Sequence, residues 1–293
     1  MTACGICSGP LVLRLAGGDG RLAPGDLSPT CHVPGAHADL YGCERCGTVQ
    51  QPALPAGPEL HDLYRAMRDD AYLDQEAGRR ATARRLLDLV EGQATGRGTL
   101  LDVGCGHGLL LDEARRRGWT VRGLELSASG RAHATEVLGL DVADATLESL
   151  DRQRDGDLDA IVLADVLEHF DDPVGAVRAA AALLRPGGVL CVVTPDPASR
   201  TARLAGERWW GYLPAHTYLL PRSTLRGLLA AEGLEPIGDV GLRRSFTLAY
   251  WIDGLAGRAA ALRTLAGLAG RLALTRRQVT LSLGDERVVL ARG

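Results

Sequence analysis

Thr99–Gly108 reads TLLDVGCGHG. An apolar run of Leu100, Leu101 and Val103, carrying Asp102, breaks into glycines at alternate positions, Gly104, Gly106 and Gly108. Leu109, Leu110 and Leu111 then open a helical pattern. A strand that ends in closely spaced glycines and passes into a helix lets a ligand lie against bare backbone at the helix N-terminus. The stretch reads as a nucleotide-cofactor loop of an α/β fold.

Two details bear on which cofactor it takes. The dinucleotide fingerprint G-x-G-x-x-G/A needs a third small residue so that helix and strand can pack closely. Counted from Gly104, that place is Leu109, and the fingerprint fails there. What stands instead is D-x-G-x-G-x-G, with Asp102 two residues before the first glycine. This resembles the first motif of class I S-adenosylmethionine-dependent methyltransferases. The next predicted strand, Thr120–Leu126, contains Glu125, about 20 residues further on, where an acid bonds ribose hydroxyls.

Two further stretches carry the same resemblance. LDAIVLADVLEHFDDP begins with an all-apolar run, Leu158–Leu163, expected to be a fully buried parallel strand. It follows the family pattern D-x-I-x-x-x-x-V-L-E-H-x-x-D-P, whose strand end, here Ala164 and Asp165, meets the methionine part of the cofactor. AAALLRPGGVLCVVTP reproduces the family's helix, L-x-P-G-G turn and strand. The resemblance covers roughly Leu60 to Arg292. It implies a Rossmann-like seven-stranded sheet with helices on both faces. It also implies cofactor contacts from Asp102, Gly104, Cys105, Gly106, Gly108, Glu125 and Leu126. Asp144, Ala145 and Thr146 fall where the family's adenine loop lies, with Asp144 as a solvated turn residue the alternative.

Composition sets the remaining bounds. The chain has 293 residues, 46% hydrophobic and 24% charged, enough for one large α/β domain and a small appendage. A net charge of −3 gives no nucleic-acid footprint. Lysine and asparagine are absent, which we read as coding bias. No leader pattern and no uncharged apolar stretch of about 18 residues is evident, so a cytoplasmic protein is expected.

Five of the seven cysteines crowd the first fifth of the chain. CGIC at Cys4–Cys7 and CERC at Cys43–Cys46 are two C-x-x-C knuckles, and Cys4, Cys7, Cys43 and Cys46 supply the closed tetrahedral shell of a structural zinc ion. A reduced metal-free knuckle or a redox pair is the alternative. Cys31, His32 and His37 are spare ligand candidates, or a loop thiol and solvated imidazoles. A zinc-ribbon-like module is thus expected over 1–52, a linker and helical pre-core segment over 53–97, and the cofactor-binding domain over 98–293. Within the helical segment Glu59–Glu91, the resemblance places Tyr72 over the cofactor site; packing the helix onto the core is the alternative.

Methyl transfer from a sulfonium is an in-line displacement, so alignment and desolvation dominate. An oxygen or nitrogen nucleophile also loses a proton, which His169, beside the end of the buried strand, can take. Alternatively, Glu168 and His169 brace the loop. Trp209, Trp210, Tyr212, His216 and Tyr218 then fall in one short span of a chain with only 4% aromatic residues. They read as the wall or lid of an acceptor pocket, with 200–278 an acceptor-site insertion. His216 is a second general-base candidate, with packing or substrate orientation the alternative. Ser245–Leu274 is Leu/Ala-rich and expected helical, as a pocket cap, a dimer face or a membrane-surface contact, in that order. The tail is expected to form two short strands around Gly284 and Asp285, the second closing the sheet antiparallel.

The expected activity is therefore methyl transfer from S-adenosylmethionine to a small-molecule acceptor, a sugar or specialised metabolite. No nucleic-acid or membrane partner is expected, and a homodimer is compatible. RNA or protein methylation is the first alternative, though Arg14, Arg21 and Arg45 lie among Asp19, Asp26, Asp39 and Glu44 rather than in a basic stripe. A nicotinamide-dependent oxidoreductase and a catalytically silent cofactor-binding scaffold are the others.

Overall fold

The computed structural model describes residues 3–30, 37–256 and 277–293. Cys31, His32 and Arg258, Arg263 and Arg271 of the Leu/Ala-rich segment lie outside the described residues. The central sheet has seven strands: β4 (Thr99–Val103), β5 (Thr120–Leu124), β6 (Val142–Ala143), β7 (Leu158–Ala164), β8 (Leu184–Pro195), β10 (Glu235–Gly241) and β13 (Glu286–Arg292). Their order is β10-β13-β8-β7-β4-β5-β6. β8, β7, β4, β5 and β6 run parallel, and β13 enters antiparallel between β8 and β10. This is the Rossmann-like methyltransferase sheet the motifs imply.

The central strands are apolar on both faces because both faces are covered. Leu101, Val103, Ile161 and Leu163 point into one core with Ala176, Val177, Ala180 and Leu183 of α6 (Pro173–Leu183). Leu100, Ala160 and Val162, one residue out of phase, point into the other with Ala83, Leu86, Leu87 and Val90 of α2 (Glu76–Glu91). The period-2 alternation of the strands thus divides the helices between two layers.

Two stretches differ from their predicted elements. The pattern over Glu59–Glu91 is broken into α1 (Pro58–Ala66), a short 3₁₀ turn at Tyr72–Gln75 and α2. Tertiary bonds hold the break: Thr30 donates its N–H (3.1 Å) and hydroxyl (2.7 Å) to the Asp69 carboxylate, and Ser127 Oγ donates to Met67 O at 3.0 Å. Ser245–Thr247 is not helical but the end of β11 (Arg244–Thr247), paired antiparallel with β12 (Gln278–Leu281). A helix, α9 (Leu248–Ala256), begins only after it. The tail forms its two strands around Gly284 and Asp285, and the second, β13, enters the large sheet antiparallel as expected.

The cysteine region forms a sheet of its own: β1 (Leu11–Leu15), β2 (Leu40–Cys43) and β3 (Val49–Gln50), joined by β9 (Tyr218–Leu219) from the aromatic segment. Val49 pairs with Leu219 and Gln50 with Tyr218. Among the described residues no helix is long and apolar enough to cross a membrane.

Candidate cofactor and acceptor site

The glycine loop links β4 to α3 (Leu109–Arg116), with Gly104, Gly106 and Gly108 at φ +67°, +54° and +79°. All three occupy the left-handed region that side chains disfavour. A Cβ on Gly108 would sit 2.7 Å from Leu140 Cδ1 and 2.9 Å from Ala134 Cβ, so glycine is also a packing requirement there. At Gly106 a Cβ would meet nothing nearer than Tyr72 Oη at 3.9 Å. The Tyr72 phenol therefore lies in van der Waals range of the open side of Gly106.

Tyr72 is itself fixed over the loop. Its ring stacks on His107 at 4.6 Å and 10°, and the Arg79 guanidinium lies 3.7 Å from the ring centroid. Burial pushes the His107 imidazole down to about 4, so it stacks as a neutral ring. The Cys105 side chain packs inward: it is buried, and a Cβ on Gly123 would touch its sulfur at 2.8 Å. Only its main chain faces the loop, with Cys105 N donating to Leu124 O at 3.0 Å.

Glu125, just past β5, closes the loop from the other side. Its carboxylate accepts from Gly106 N at 2.7 Å and Ser127 N at 2.6 Å. Each oxygen keeps a lone-pair direction for a further donor such as a ribose hydroxyl. Asp102 is buried beneath the loop, and its carboxyl is held well above the usual range by burial and then by Glu125. Arg131 donates to the main-chain oxygens of Glu125 (2.9 Å) and Leu126 (3.0 Å). Asp144, past β6, is exposed and ion-paired to Arg65 and Arg131, each at 3.3 Å, with Ala145 and Thr146 half-buried beside it.

At the end of β7, beyond the half-buried Ala164, Asp165 adopts φ +57°, rare for a residue with a side chain. Arg244 of β11 donates to both its oxygens, at 2.7 and 2.6 Å, and to Glu286 at 2.9 and 2.8 Å. Arg244 and Glu286, which brace Asp165, are residues that the sequence did not single out. No periodicity or motif ties a C-terminal arginine to the end of β7.

His169 follows on a single 3₁₀ turn, Leu167–His169, and His216 lies on the loop before β9. Their rings meet edge to face at 5.0 Å. His169 Nδ1 is 3.0 Å from Ala215 O and His216 Nδ1 is 2.7 Å from Gly211 O. A carbonyl can only accept, so each Nδ1 carries the proton and each Nε2 keeps its lone pair. Burial lowers both imidazoles, His216 to about 3, so both are neutral at neutral pH. A carboxylate oxygen of Glu168 and one nitrogen of each ring lie within 4.8 Å of one another. Glu168 Oε2 and Tyr64 Oη are buried without a hydrogen-bond partner among the described residues. Tyr64, whose ring stands 6.1 Å from that of His169, is a further residue the sequence did not single out.

The aromatic segment serves these histidines through its backbone. Trp209, Tyr212 and Leu219 are buried in one apolar cluster with Leu40 and Val49 of the cysteine region, and Trp210 packs against it. Tyr218 is buried too, facing the core of the large sheet. Both indole N–H groups donate to Asp285 Oδ2 in the turn before β13. What reaches the site is the main chain of Gly211–Thr217 together with the His216 ring.

The cysteine quartet stands apart from this chemistry. One sulfur of each of Cys4, Cys7, Cys43 and Cys46 lies within 4.8 Å of the others, with Cys4–Cys46 at 3.7 Å and Cys7–Cys43 at 3.4 Å. Four thiolates at about 2.3 Å from a zinc ion would be separated by roughly 3.8 Å, so the quartet fits that ion. His37 lies outside the group: it is buried, with Nδ1 2.8 Å from Ala38 O.

Comparison with known proteins agrees with this geometry. The family described as "Methyltransferase domain" matches residues 75–237. The ubiquinone biosynthesis O-methyltransferase of Caulobacter vibrioides is 32% identical over 166 residues, 52% of this chain and 66% of that protein. That of Albidiferax ferrireducens is 38% identical over 133 residues, 43% and 50% of the two chains. The matched part thus spans between half and two thirds of these relatives. The fold is shared with the N-methyltransferase NodS of Bradyrhizobium japonicum, solved with S-adenosyl-L-homocysteine, at a TM-score of 0.50, 16% identity and coverage of 80% of this chain and 97% of that one. With more than half of its length matched, and with the glycine loop, Glu125 and the end of β7 gathered at the carboxyl ends of three neighbouring strands, the chain belongs to the class I S-adenosylmethionine-dependent methyltransferase family.

Proposed function

We propose that this protein transfers a methyl group from S-adenosylmethionine to a hydroxyl of a small-molecule acceptor, a sugar or specialised metabolite. The observation that carries the reading is the pair of neutral imidazoles, His169 and His216, each with its Nδ1 proton committed to a main-chain carbonyl. Ubiquinone biosynthesis O-methyltransferases among the relatives support oxygen as the methylated atom.

The cofactor supplies an electrophilic methyl group on a sulfonium. Glu125 would accept the ribose hydroxyls, the Gly104–Gly108 backbone beside Tyr72 would carry the nucleoside, and Asp165, held by Arg244, would lie toward the methionine end. The acceptor hydroxyl gives its proton to Nε2 of His169, while His216 Nε2 accepts a second donor of the acceptor and orients it. The new bond joins acceptor oxygen and methyl carbon, and the bond to sulfur breaks, with S-adenosylhomocysteine as the other product. Buried walls keep water from competing for the methyl group.

Cys4, Cys7, Cys43 and Cys46 would hold a structural zinc ion, and a shell filled by four thiolates would leave no open position for catalysis. Its sheet is packed against the protein's own aromatic segment, which favours a small acceptor over a macromolecule gripped by the cysteine region.

Calorimetric titration with S-adenosylmethionine, S-adenosylhomocysteine and NADH is the first test. Binding of the two sulfur compounds and not of NADH supports the assignment; the reverse refutes the reading of the glycine loop. Methyl transfer to a panel of glycosides and phenolic metabolites then tests the acceptor class. Transfer only to a protein or RNA substrate would refute it.

A further inference from the structure

Cys46, in the second knuckle, is five residues from Gln51, and Gln51 is the link between the cysteine region and the two histidines. Gln51 is 1% exposed and fully bonded. Its Oε1 accepts from Ala38 N at 2.7 Å, and its Nε2 donates to His216 O at 2.7 Å and Leu213 O at 2.9 Å. Its own N–H donates to Thr217 O at 3.0 Å. One side chain therefore clamps the backbone of 213–217 that carries His216 and presents Ala215 O to His169.

Independent contacts tie the same segment to the knuckles. Thr224 Oγ1 donates to Cys46 O at 2.6 Å. A Cβ on Gly5, inside the first knuckle, would stand 2.3 Å from Tyr218 Oη, so the knuckle turn lies directly on that phenol. β3 leaves the second knuckle and pairs with β9. A shift of the knuckles on metal loss would move β3, and with it the three carbonyls that Gln51 holds.

We propose that the cysteine region is a positioning element for the acceptor side of the site, with Gln51 the positioning residue that transmits metal occupancy to His216 and His169. The proposal rests on the zinc reading for occupancy and on the histidine reading for its catalytic meaning. Among the described residues, Gln51 hydrogen-bonds to none of those proposed to contact S-adenosylmethionine.

The test uses the full chain labelled with ¹⁵N-histidine, and reads the imidazole nitrogen resonances of His169 and His216 together with S-adenosylhomocysteine affinity. Stripping the metal with a chelator should shift both sets of resonances and leave the affinity within about threefold of the starting value, and added zinc should restore them. Gln51→Glu keeps the bond from Ala38 N, loses both donors and should show the same shift with its metal in place. Unchanged resonances after chelation overturn the proposal whether or not the variant folds. Unchanged resonances in a folded Gln51→Glu chain assign the coupling to other residues and overturn the role of Gln51. Metal analysis of the starting protein separates the readings: a chain purified without metal refutes zinc occupancy, while failure of the histidines in catalysis would show only in the methyl-transfer assay.

Discussion

His169 is half-buried and His216 buried, and the usable nitrogen of each ring is defined by a carbonyl on the opposite side. Removing the base while keeping a polar group, His169→Gln, should lower kcat by about 10²- to 10⁴-fold without altering S-adenosylhomocysteine affinity, read by single-turnover methyl transfer and calorimetry. If kcat is unchanged, His169 braces the loop instead. Because burial lowers its pKa from the ordinary 6.5, the acid limb of the kcat profile should lie below pH 6.5. In the glycine loop, Gly108→Ala meets both a φ of +79° and two contacts under 3.0 Å. It should cost about 1–3 kcal/mol in urea unfolding and weaken cofactor binding. These positions were legible in the sequence because loop chemistry is local: spacing of glycines and an acid at the next strand end are enough. Arg244 was not, since its partner Asp165 is 79 residues away and nothing near either residue names the other.

At the level of elements, the two knuckles were also readable, while the strand that completes their sheet was not. β9 is two residues long, and its pairing to Val49 and Gln50 is a tertiary event. The aromatic cluster was noticed for its density, yet its rings serve packing: density distinguishes an anchored segment from background but not a wall from a core. Asp285→Ala removes the acceptor shared by the Trp209 and Trp210 indoles and should destabilise the protein by about 2–4 kcal/mol in urea, with a change in tryptophan emission. Stability unchanged by this substitution would mean the indoles are held by packing alone. Elemental analysis should find one zinc per chain, and its removal should lower the thermal midpoint by at least about 5 °C.

Over the whole molecule, the buried acids set the response to alkali. Burial raises Asp102 and Glu168 well above their ordinary 3.8 and 4.5, and raises Glu286 as well. The unfolded chain ionises these carboxyls first, so between the two pKa values the folded state binds more protons and stability falls as pH rises. The low-pKa histidines act in the opposite sense, but only below 6.5, where the unfolded rings begin to protonate. Apart from the histidine contribution, unfolding free energies from urea titrations should therefore fall as pH rises past the ordinary carboxyl values of 3.8 and 4.5, by up to about 1.4 kcal/mol per pH unit for each acid still protonated in the fold. Asp102→Asn should flatten that slope; a slope unaltered by it would place the linked protons elsewhere.

The pairing of β3 with β9 has a consequence for synthesis in the cell. The cysteine sheet takes its fourth strand from residues 218–219, while its third ends at Gln50. At typical elongation rates of about 5–20 residues per second, the nascent chain spends roughly 10–30 s between exposing one strand and exposing its mate. During that interval Val49 and Leu40 have no Leu219 or Trp209 to cover them. A metal ion captured early by the two knuckles, or a chaperone, would be what shields this edge until translation reaches its partner.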